Sequence, residues 1–205
     1  RMNNYDNLLI SIEGIDQSGG TTLWNNLKEE LDGDWCYSKE PSEGAYGRIM
    51  RDVLQSEDDP SLSDFFLFCA DRVDHIKSLI GPKLEDESVD GVVLDRYNLS
   101  TYAYQSPIVR EQILSRSGVE YIGNVVSEWV IEPDLTIVLD IPVEESIERM
   151  DAEREMYEKR EHLHEAKEVY DKFAQNNEHI VTIDATQDKE EVLAEALEAI
   201  DERRD

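Results

Sequence analysis

The sequence predicts a doubly wound α/β fold, in which helices cover both faces of a parallel sheet. Four nearly continuous apolar runs are typical of strands buried on both faces, and they lie at residues 7–13, 91–96, 134–141 and 179–185. Residues 35–40 form a weaker candidate for a fifth strand. Because helical stretches separate these runs, the expected architecture has three layers, α/β/α, with right-handed crossovers.

The helical stretches follow the strands in order. The first comes directly after a glycine-rich turn, and the second carries apolar residues at helical spacing. The predicted helices span residues 22–31, 62–84, 110–130, 143–152, 164–176 and 189–202. No internal repeat or linker rich in Pro, Gly or Ser is present, so residues 1–205 are expected to form one domain.

One segment departs from this pattern. Residues 151–162, DAEREMYEKREH, are charged on all sides and have no apolar stripe. Such a segment could be a solvated helix or a mobile lid that carries cations over a site. On composition alone, the solvated helix is the simpler interpretation.

The chain is strongly acidic, with 48 Asp and Glu residues against 20 Lys and Arg, for a formal net charge of −28. The acidic residues are spread along the chain, and lysine is scarcer than arginine. This pattern favours adaptation to molar salt, where the electrostatic screening length falls to roughly 3 Å. The alternative is an acidic protein that works at ordinary salt concentration. Nucleic-acid phosphates would repel such a chain, so nonspecific nucleic-acid binding is not expected.

Cysteine usage and hydropathy point to an intracellular protein. Cys36 and Cys69 are too few for a metal cluster or a disulfide framework, and both are expected to be buried free thiols. No signal peptide precedes the first strand and no apolar run approaches 18 residues. The expected location is the cytoplasm, or the host cytoplasm if the chain is viral, with no membrane partner.

A glycine-rich turn, GIDQSGGTT, follows the first strand at residues 14–22. It has the spacing of the phosphate-binding loop G-x-x-x-x-G-K-[ST], with Gly14, Gly19 and Thr21 in place and Gly20 at the lysine position. Backbone N–H groups and the N-terminus of the next helix form most of such a cradle, and Gly20 retains them. Gly20 cannot place an ammonium on the phosphates. Alone, the turn could also be a strand-to-helix connection without a ligand.

A second motif supports a phosphate site. Asp95 ends the predicted strand at 91–96, where a carboxylate can meet Mg²⁺ beside the loop, and Thr21 offers a hydroxyl to the same ion. Arg96 follows, and a guanidinium is suited to bidentate recognition of phosphate oxygens. The alternative is an ion pair at the end of a strand.

These motifs belong to five blocks that resemble, in order and nearly end to end, the thymidylate kinases. The blocks are EGIDQSGGTT (13–22), SKEP (38–41), FLFCADR (66–72), DRYNLSTYAYQ (95–105) and PDLTIVLDIPVEESIERM (133–150). The fourth is the most specific, because phosphate-binding loops are widespread. The resemblance implies a P-loop NTPase fold with a five-stranded parallel sheet and a short mobile lid near 150–162. It also implies transfer of the γ-phosphoryl group of Mg-ATP to dTMP, giving dTDP for dTTP synthesis, and usually a homodimer.

The resemblance assigns the nucleoside of the acceptor to five side chains. Phe68 would stack on the thymine ring, and Arg72 would hydrogen-bond its O4 edge. Gln105, with Thr101 nearby, would recognise the polar edge of the base. Tyr104 would lie by the deoxyribose, where an aromatic wall disfavours a 2′-hydroxyl.

The phosphates and the 3′-hydroxyl of the acceptor are assigned to charged residues. Asp16 would face the 3′-hydroxyl, Arg51 would hold the acceptor phosphate, and Arg96 would touch the transferring phosphates. Glu40 would lie close to Mg²⁺ and the acceptor. ATP is assigned to Gly14, Gln17, Ser18, Gly19, Gly20, Thr21, Thr22 and Arg149.

Individually, these residues have structural interpretations as well. Phe68 could pack in the core beside Phe65, and Arg72 could pair with a neighbouring aspartate on a solvated face. Arg51 could support Glu43 on a helix surface. Only the ordered set favours the functional interpretation.

The missing lysine requires another cation. Some thymidylate kinases carry a basic residue in the loop after the Asp, and others supply arginine from the lid; Gln17 places this chain with the second kind. Residues 154–161, REMYEKRE, approximate the family's lid pattern R-x-x-x-D-R-x-E, with Lys159 in place of arginine. We expect Arg154, together with Arg96 and Mg²⁺, to replace the lysine. Bulk K⁺ could also enter the space.

Two alternatives stay open at this point. A kinase of the same fold could take dUMP or dCMP, since Tyr104 and Gln105 favour a deoxypyrimidine without fixing the 5-methyl group. A catalytically weak nucleotide-binding homologue could also have lost its lysine. Retention of Thr21, Asp95 and Arg96 favours the active kinase.

Overall fold

A computed structural model describes residue 3 and residues 5–56, 60–113, 117–150 and 156–204, with the side chains of 156–159 excepted. Five parallel strands form one sheet in the order β2-β3-β1-β4-β5. The strands are β1 Leu8–Gly14, β2 Trp35–Lys39, β3 Gly91–Asp95, β4 Leu135–Asp140 and β5 Ile180–Asp184. The predicted five-stranded parallel α/β sheet is therefore confirmed.

Burial matches the apolar runs for the central strands but not for both edge strands. The central strands β1 and β3 are buried at every residue, as their continuous apolar runs predict. The edge strand β2 is only half-buried. An edge strand needs fewer apolar residues, which fits the weaker pattern at residues 35–40. The other edge strand, β5, is also mostly half-buried or exposed, so the expectation that residues 179–185 are buried on both faces was wrong.

Helices pack on both faces of the sheet. They are α1 Gly20–Glu30, α2 Ala45–Leu54, α3 Leu62–His75, α4 Gly81–Leu84, α5 Asn98–Ile113, α6 Gly118–Val126, α7 Val143–Glu148, α8 Met156–Asn176 and α9 Lys189–Arg204. A π-helical segment, Ile76–Ile80, joins α3 to α4, so the predicted helix at 62–84 is continuous in outline.

The predicted helix at 110–130 was wrong at its start. Helix α5 begins twelve residues earlier, at Asn98, and α6 follows as a separate helix. The inward face of α5 is largely polar, because Asn98, Thr101, Gln105 and Ser106 are all buried. Burial of polar residues removes the apolar stripe by which an amphipathic helix is recognised.

The predicted lid falls largely outside the part of the chain that the structure describes. Residues 151–155, including Arg154, lie outside it, and so does the side chain of Lys159. Helix α8 begins at Met156, eight residues before the predicted helix at 164–176.

Two smaller expectations can be compared with the structure. Both cysteines are free, Cys69 being buried and Cys36 half-buried. Among the described residues, no helix combines the length and the apolar character that crossing a membrane requires.

Candidate functional site

The glycine-rich turn joins β1 to α1 with a backbone that few other residues could adopt. Gly14 has φ 150° and Gly19 has φ 101°. A Cβ at Gly14 would lie 2.7 Å from the carbonyl oxygen of Leu139, so only glycine fits there. Gln17 is also left-handed, with φ 60°, and its carbonyl accepts a hydrogen bond of 3.0 Å from Arg149 Nη1. Sterics and hydrogen bonding therefore fix the shape of this loop.

The first turn of α1 faces open space. Gly19 is the N-cap residue, no side chain caps this helix, and a Cβ on Gly19 would meet nothing within 4 Å. The first intrahelical bond runs from Leu23 N to Gly19 O at 3.0 Å. The N–H groups that precede Leu23 in the helix are therefore available to an anion, and the helix dipole adds a partial positive charge at the same place.

Gly20 stands beside the carboxylate at the end of β3. A Cβ at Gly20 would lie 3.3 Å from Asp95 Oδ1 and 3.8 Å from Ile12 Cγ2. A side chain at this position is therefore crowded by Asp95 but not blocked by backbone. Glycine leaves the carboxylate without the neighbouring ammonium that the motif usually supplies.

Thr21 and Asp95 provide a donor set that suits Mg²⁺. Thr21 Oγ1 donates a hydrogen bond of 2.7 Å to Asp95 Oδ2, so the hydroxyl and the carboxylate meet at the mouth of the loop. Among the described residues, no group of three or more His, Cys, Asp or Glu could hold a metal by itself. Mg²⁺ usually takes one or two protein oxygens and completes its shell with phosphate and water, so the pair fits such an ion.

Arg96 lies between the loop and α5. Its Nη1 donates to Gly14 O at 3.1 Å and to Ser100 Oγ at 3.2 Å, and its Nη2 donates to Asp16 Oδ1 at 2.7 Å. The backbone of Arg96 is left-handed, with φ 67°. Such a conformation costs a non-glycine residue about 1–2 kcal/mol, and here it turns the side chain back toward the loop.

Asp16 joins the loop to the tyrosine predicted to lie by the sugar. Its Oδ1 also accepts a hydrogen bond of 3.1 Å from the Tyr104 hydroxyl, and its backbone oxygen accepts one of 2.7 Å from Ser146 Oγ. Burial raises the pKa of Tyr104, so its phenol remains a hydrogen-bond donor at neutral pH.

A buried acid underlies this arrangement, and sequence reasoning missed it. Glu13, 2% exposed, accepts hydrogen bonds from Tyr97 N at 2.9 Å, Ser100 Oγ at 2.5 Å and Tyr170 OH at 3.2 Å. Burial raises the pKa of Glu13 above its usual 4.5. The sequence does contain a signal, since an acidic residue inside a buried apolar strand must find polar partners.

Two adjoining clefts meet at the loop. One, of about 850 Å³, lies over the loop and the start of α1. The other, of about 900 Å³, is walled by α2, α3 and α5. The two clefts share the residues Asp16, Thr21, Asp95, Arg96, Tyr104 and His162. A ligand in one cleft would therefore meet a ligand in the other beside the Thr21–Asp95 pair.

Helical spacing brings the predicted base-contacting residues together. Phe68 and Arg72 are four residues apart on α3, and Thr101, Tyr104 and Gln105 share one side of α5. All five line the larger cleft. Phe68 is half-buried against this cleft, whereas its neighbour Phe65 is the fully buried core residue.

Arg72 is buried, not solvated as its structural interpretation supposed. It is 1% exposed, and it donates from Nε and Nη2 to Glu40 Oε2 at 2.8 and 2.7 Å. Glu40 Oε1 lies 3.2 Å from His75 Nδ1. Burial alone would raise the pKa of Glu40, but the charge of Arg72 and the hydrogen bonds of both neighbours hold it below 4.5.

Three buried polar atoms of residues that line the larger cleft have no hydrogen-bond partner among the described residues. They are Nη1 of Arg72, Oε1 of Gln105 and the hydroxyl oxygen of Tyr97. An unsatisfied buried polar atom costs roughly 1–3 kcal/mol, so native proteins seldom leave one without a reason. Nη1 of Arg72 can only donate and Oε1 of Gln105 can only accept, whereas the Tyr97 hydroxyl can do either.

Two predicted residues are held by partners within the protein. Arg51 is not among the described residues that line the larger cleft; it donates to Pro41 O, Ser42 O and Glu43 Oε2 at 2.9, 2.6 and 3.0 Å. Both oxygens of Glu40 are engaged by Arg72 and His75, so Glu40 is not free to bind Mg²⁺ directly. Arg154 lies outside the described residues.

A P-loop beside Asp95, on a parallel sheet of this order and next to a second cleft, is the arrangement expected of a nucleotide-dependent phosphotransferase. The family model described as thymidylate kinase matches residues 12–196. The chain belongs to the thymidylate kinase family, and it is therefore a kinase.

Curated relatives match the chain almost from end to end. A probable thymidylate kinase of Halobacterium salinarum is 31% identical over 194 residues, covering 94% of this chain and 95% of the relative. A probable thymidylate kinase of Methanoculleus marisnigri is 36% identical over 189 residues, covering 90% of each chain. A thymidylate kinase of Brachyspira hyodysenteriae is 33% identical over 200 residues, covering 96% of this chain and 94% of the relative.

Proposed function

We propose that this protein transfers the γ-phosphoryl group of Mg-ATP to dTMP, giving dTDP. The observation that carries the proposal is the unpartnered Nη1 of Arg72, buried at the larger cleft and fixed by Glu40. An arginine can only donate, so the ligand atom that meets Nη1 must be an acceptor. Thymine presents a carbonyl oxygen, O4, at that edge, whereas cytosine presents an amino group.

The unpartnered oxygen of Gln105 points to the same base. Oε1 can only accept, and the N3–H of thymine donates, whereas N3 of cytosine accepts. A donor on Arg72 and an acceptor on Gln105 therefore complement thymine and oppose cytosine. Uracil has the same polar edge, which makes dUMP the second candidate acceptor.

The loop side of the site suits the triphosphate of ATP. The N–H groups of the first turn of α1 would bind phosphate oxygens, and Thr21 and Asp95 would hold Mg²⁺. When bound, Mg²⁺ offsets negative charge on the phosphates that it bridges. Arg96, held by Gly14 O and Asp16, would contact the phosphoryl group from the side of the acceptor.

The cation that replaces the loop lysine is part of the proposal. Arg154 is the candidate that the lid pattern suggests, acting with Arg96 and Mg²⁺. Bulk K⁺ is the other candidate, because Gly20 has no side chain to fill the space beside Asp95 Oδ1. A Cβ on Gly20 would lie 3.3 Å from that oxygen. Without such a cation, kcat should be a few orders of magnitude lower, since removal of one hydrogen-bond donor to the charge of the transition state raises the activation free energy by about 3–4 kcal/mol.

The experiment is a coupled ADP-release assay with ATP and MgCl₂, in low and in molar KCl. We expect turnover with dTMP, weaker turnover with dUMP, and kcat/KM for dCMP lower by two orders of magnitude or more, about the effect of unpaired polar groups. Equal use of dCMP and dTMP would contradict the base assignment. Absence of turnover with every acceptor in both salts would favour the weak nucleotide-binding homologue.

We also propose a homodimer formed through α2 and α3. Of the large apolar side chains exposed on these helices, Ile49 and Leu54 line the larger cleft, whereas Tyr46, Phe66 and Val73, 44–47% exposed, are not among the described residues that line it. Exposed apolar groups that cluster on adjoining helices are typical of a protein interface. Phe66 and Val73 are seven residues apart on α3 and so lie on one side of it.

A further inference from the structure

His162 occupies the junction of the two clefts. Of the six described residues that line both clefts, only Arg96 and His162 can carry a positive charge. Arg96 is already paired with Asp16 at 2.7 Å. In the described part of the chain, His162 is exposed and has no hydrogen bond or ion pair. Its ring is therefore free to meet a ligand that passes from one cleft to the other.

The packing of α8 sets this position. Leu163, Ala166 and Tyr170 are buried at 3%, 0% and 2% exposure, and the Tyr170 hydroxyl reaches Ser100 Oγ at 3.1 Å. His162 precedes Ala166 by about one helical turn, so both residues lie on the same side of α8. His162 therefore continues the buried side of α8 to the point where the helix borders the junction of the two clefts.

The electrostatic surroundings favour a donor at this point. Asp16 and Asp95 line the same junction. Asp16 is paired with Arg96, whereas Asp95 lacks the ammonium that a lysine at position 20 would place beside it. A triphosphate entering the junction would add further negative charge. Phosphoryl transfer depends on hydrogen-bond donors and cations that meet the equatorial oxygens.

We propose that His162 donates a hydrogen bond from its ring to the phosphoryl group in transfer, supplying part of what a loop lysine otherwise supplies. This inference rests on the proposed function, because it requires a donor nucleotide and an acceptor nucleotide on either side of the ring. It makes His162 a catalytic residue that belongs to α8, separate from Arg154.

The test compares His162→Ala, His162→Lys and a matched control, His164→Ala. His164 lies two residues further along α8, is similarly exposed, and faces Glu144 at 3.9 Å instead of the clefts. We expect His162→Ala to lower kcat on the order of 100-fold, the usual effect of removing one such donor. His162→Lys should restore much of the loss, and His164→Ala should leave kcat unchanged.

A binding measurement keeps the inference testable even without turnover. Calorimetry would compare ATP, dTMP and a bisubstrate nucleotide that joins adenosine to thymidine through five phosphates. We expect His162→Ala to weaken the bisubstrate nucleotide by roughly tenfold, the effect of about 1.4 kcal/mol, and ATP or dTMP alone much less. His164→Ala should bind all three as the wild type does.

The outcomes separate the two proposals. Wild-type turnover of dTMP with kcat unchanged in His162→Ala would overturn the role of His162 and leave the proposed function intact. Equal losses in His162→Ala and His164→Ala would also overturn it, because the effect would then belong to α8 as a whole. Absence of dTMP turnover by the wild type would overturn the proposed function, and the bisubstrate measurement would still decide the role of His162.

Discussion

Arg72 donates two hydrogen bonds to a single oxygen of Glu40, from Nε at 2.8 Å and from Nη2 at 2.7 Å, and both side chains are almost fully buried. Nη2 also reaches Tyr97 O at 3.1 Å. These bonds hold the guanidinium so that only Nη1 is left for a ligand. A chain of contacts continues from Glu40 to His75 and from His75 Nε2 to Ser38 Oγ at 2.8 Å.

The Arg72–Glu40 pair is expected to contribute strongly to stability. Glu40→Gln would leave the charge of Arg72 buried without compensation, which typically costs about 3–5 kcal/mol. Urea unfolding in molar KCl measures the change in the free energy of unfolding. Glu43→Gln is the control, because Glu43 is 74% exposed and its pair with Arg51 contributes little. Equal stability of the two variants would contradict the prediction.

Acid should weaken this pair with a defined sign. Arg72 and His75 hold the pKa of Glu40 below 4.5 in the folded protein, so the unfolded chain binds the proton more readily. The stability that Glu40 contributes is therefore present above pH 4.5 and is lost as the pH falls through the folded pKa. Unfolding free energies of wild type and Glu40→Gln, measured from pH 7 downward, should converge.

Glu13 gives the opposite sign in the same experiment. Burial raises its pKa above 4.5, so the folded protein holds the proton more tightly than the unfolded chain does. The wild type should then lose stability relative to Glu13→Gln as the pH rises through the folded pKa of Glu13. If the difference in unfolding free energy between wild type and Glu13→Gln did not change with pH, burial would not raise the pKa of Glu13.

Arg72→Lys tests recognition of the base. Lysine keeps a positive charge for Glu40 but cannot form the same fork and also present a fixed donor to O4. We expect kcat/KM for dTMP to fall by roughly 10- to 100-fold, while the preference for dTMP over dCMP narrows. Arg110→Lys on α5 is the control, since the Arg110 side chain is 47% exposed and pairs with the exposed Glu111 and the half-buried Glu165. An unchanged preference would exclude Arg72 as the determinant.

Gly20→Lys and Gly20→Ala separate charge from crowding in the loop. Both variants place a Cβ 3.3 Å from Asp95 Oδ1, but only lysine adds an ammonium. We expect Gly20→Lys to raise kcat by roughly tenfold or more in low KCl and less in molar KCl, because salt screens the added charge. Gly20→Ala should not raise kcat. If Gly20→Ala raised kcat as much as Gly20→Lys does, the added charge would not be the cause.

Arg154→Ala shows whether the lid cation and the loop cation are interchangeable. In the wild type, this substitution should lower kcat by about two orders of magnitude, the cost of losing one cation at the phosphates. When Arg154→Ala is combined with Gly20→Lys, the loss of kcat should be smaller, since Lys at position 20 and Arg154 would contact the same phosphate oxygens. An unchanged kcat in Arg154→Ala would exclude the lid arginine.

The exposed apolar residues of α3 allow the proposed dimer to be tested. Replacing both Phe66 and Val73 by Glu would place charges on the α2–α3 surface, where each side chain is 47% exposed. Sedimentation should show a dimer for the wild type and a monomer for the double variant. Lys172→Glu, 72% exposed on α8, is the control that should remain dimeric. A monomeric wild type would contradict the proposal.

Sequence patterns predicted the parts of the site that depend on local spacing. The loop follows from Gly14, Gly19 and Thr21, because backbone conformation and position in a β–α unit are local properties. Helical spacing also explains why Phe68 and Arg72 share a side of α3. Patterns failed where polar residues are buried, as on the inward side of α5, since periodicity registers only apolar residues.

The sequence by itself determined the α/β class, the five strands and the phosphate-binding loop, because each rests on residues that are neighbours in the chain. Only the tertiary structure decided that Arg72 pairs with Glu40, 32 residues away, and that His162 stands at the junction of the two clefts. Both depend on which strands adjoin and on how α8 packs. Partners of buried charges are chosen by this assembly, since a charge removed from water must be satisfied by whatever group the fold brings near.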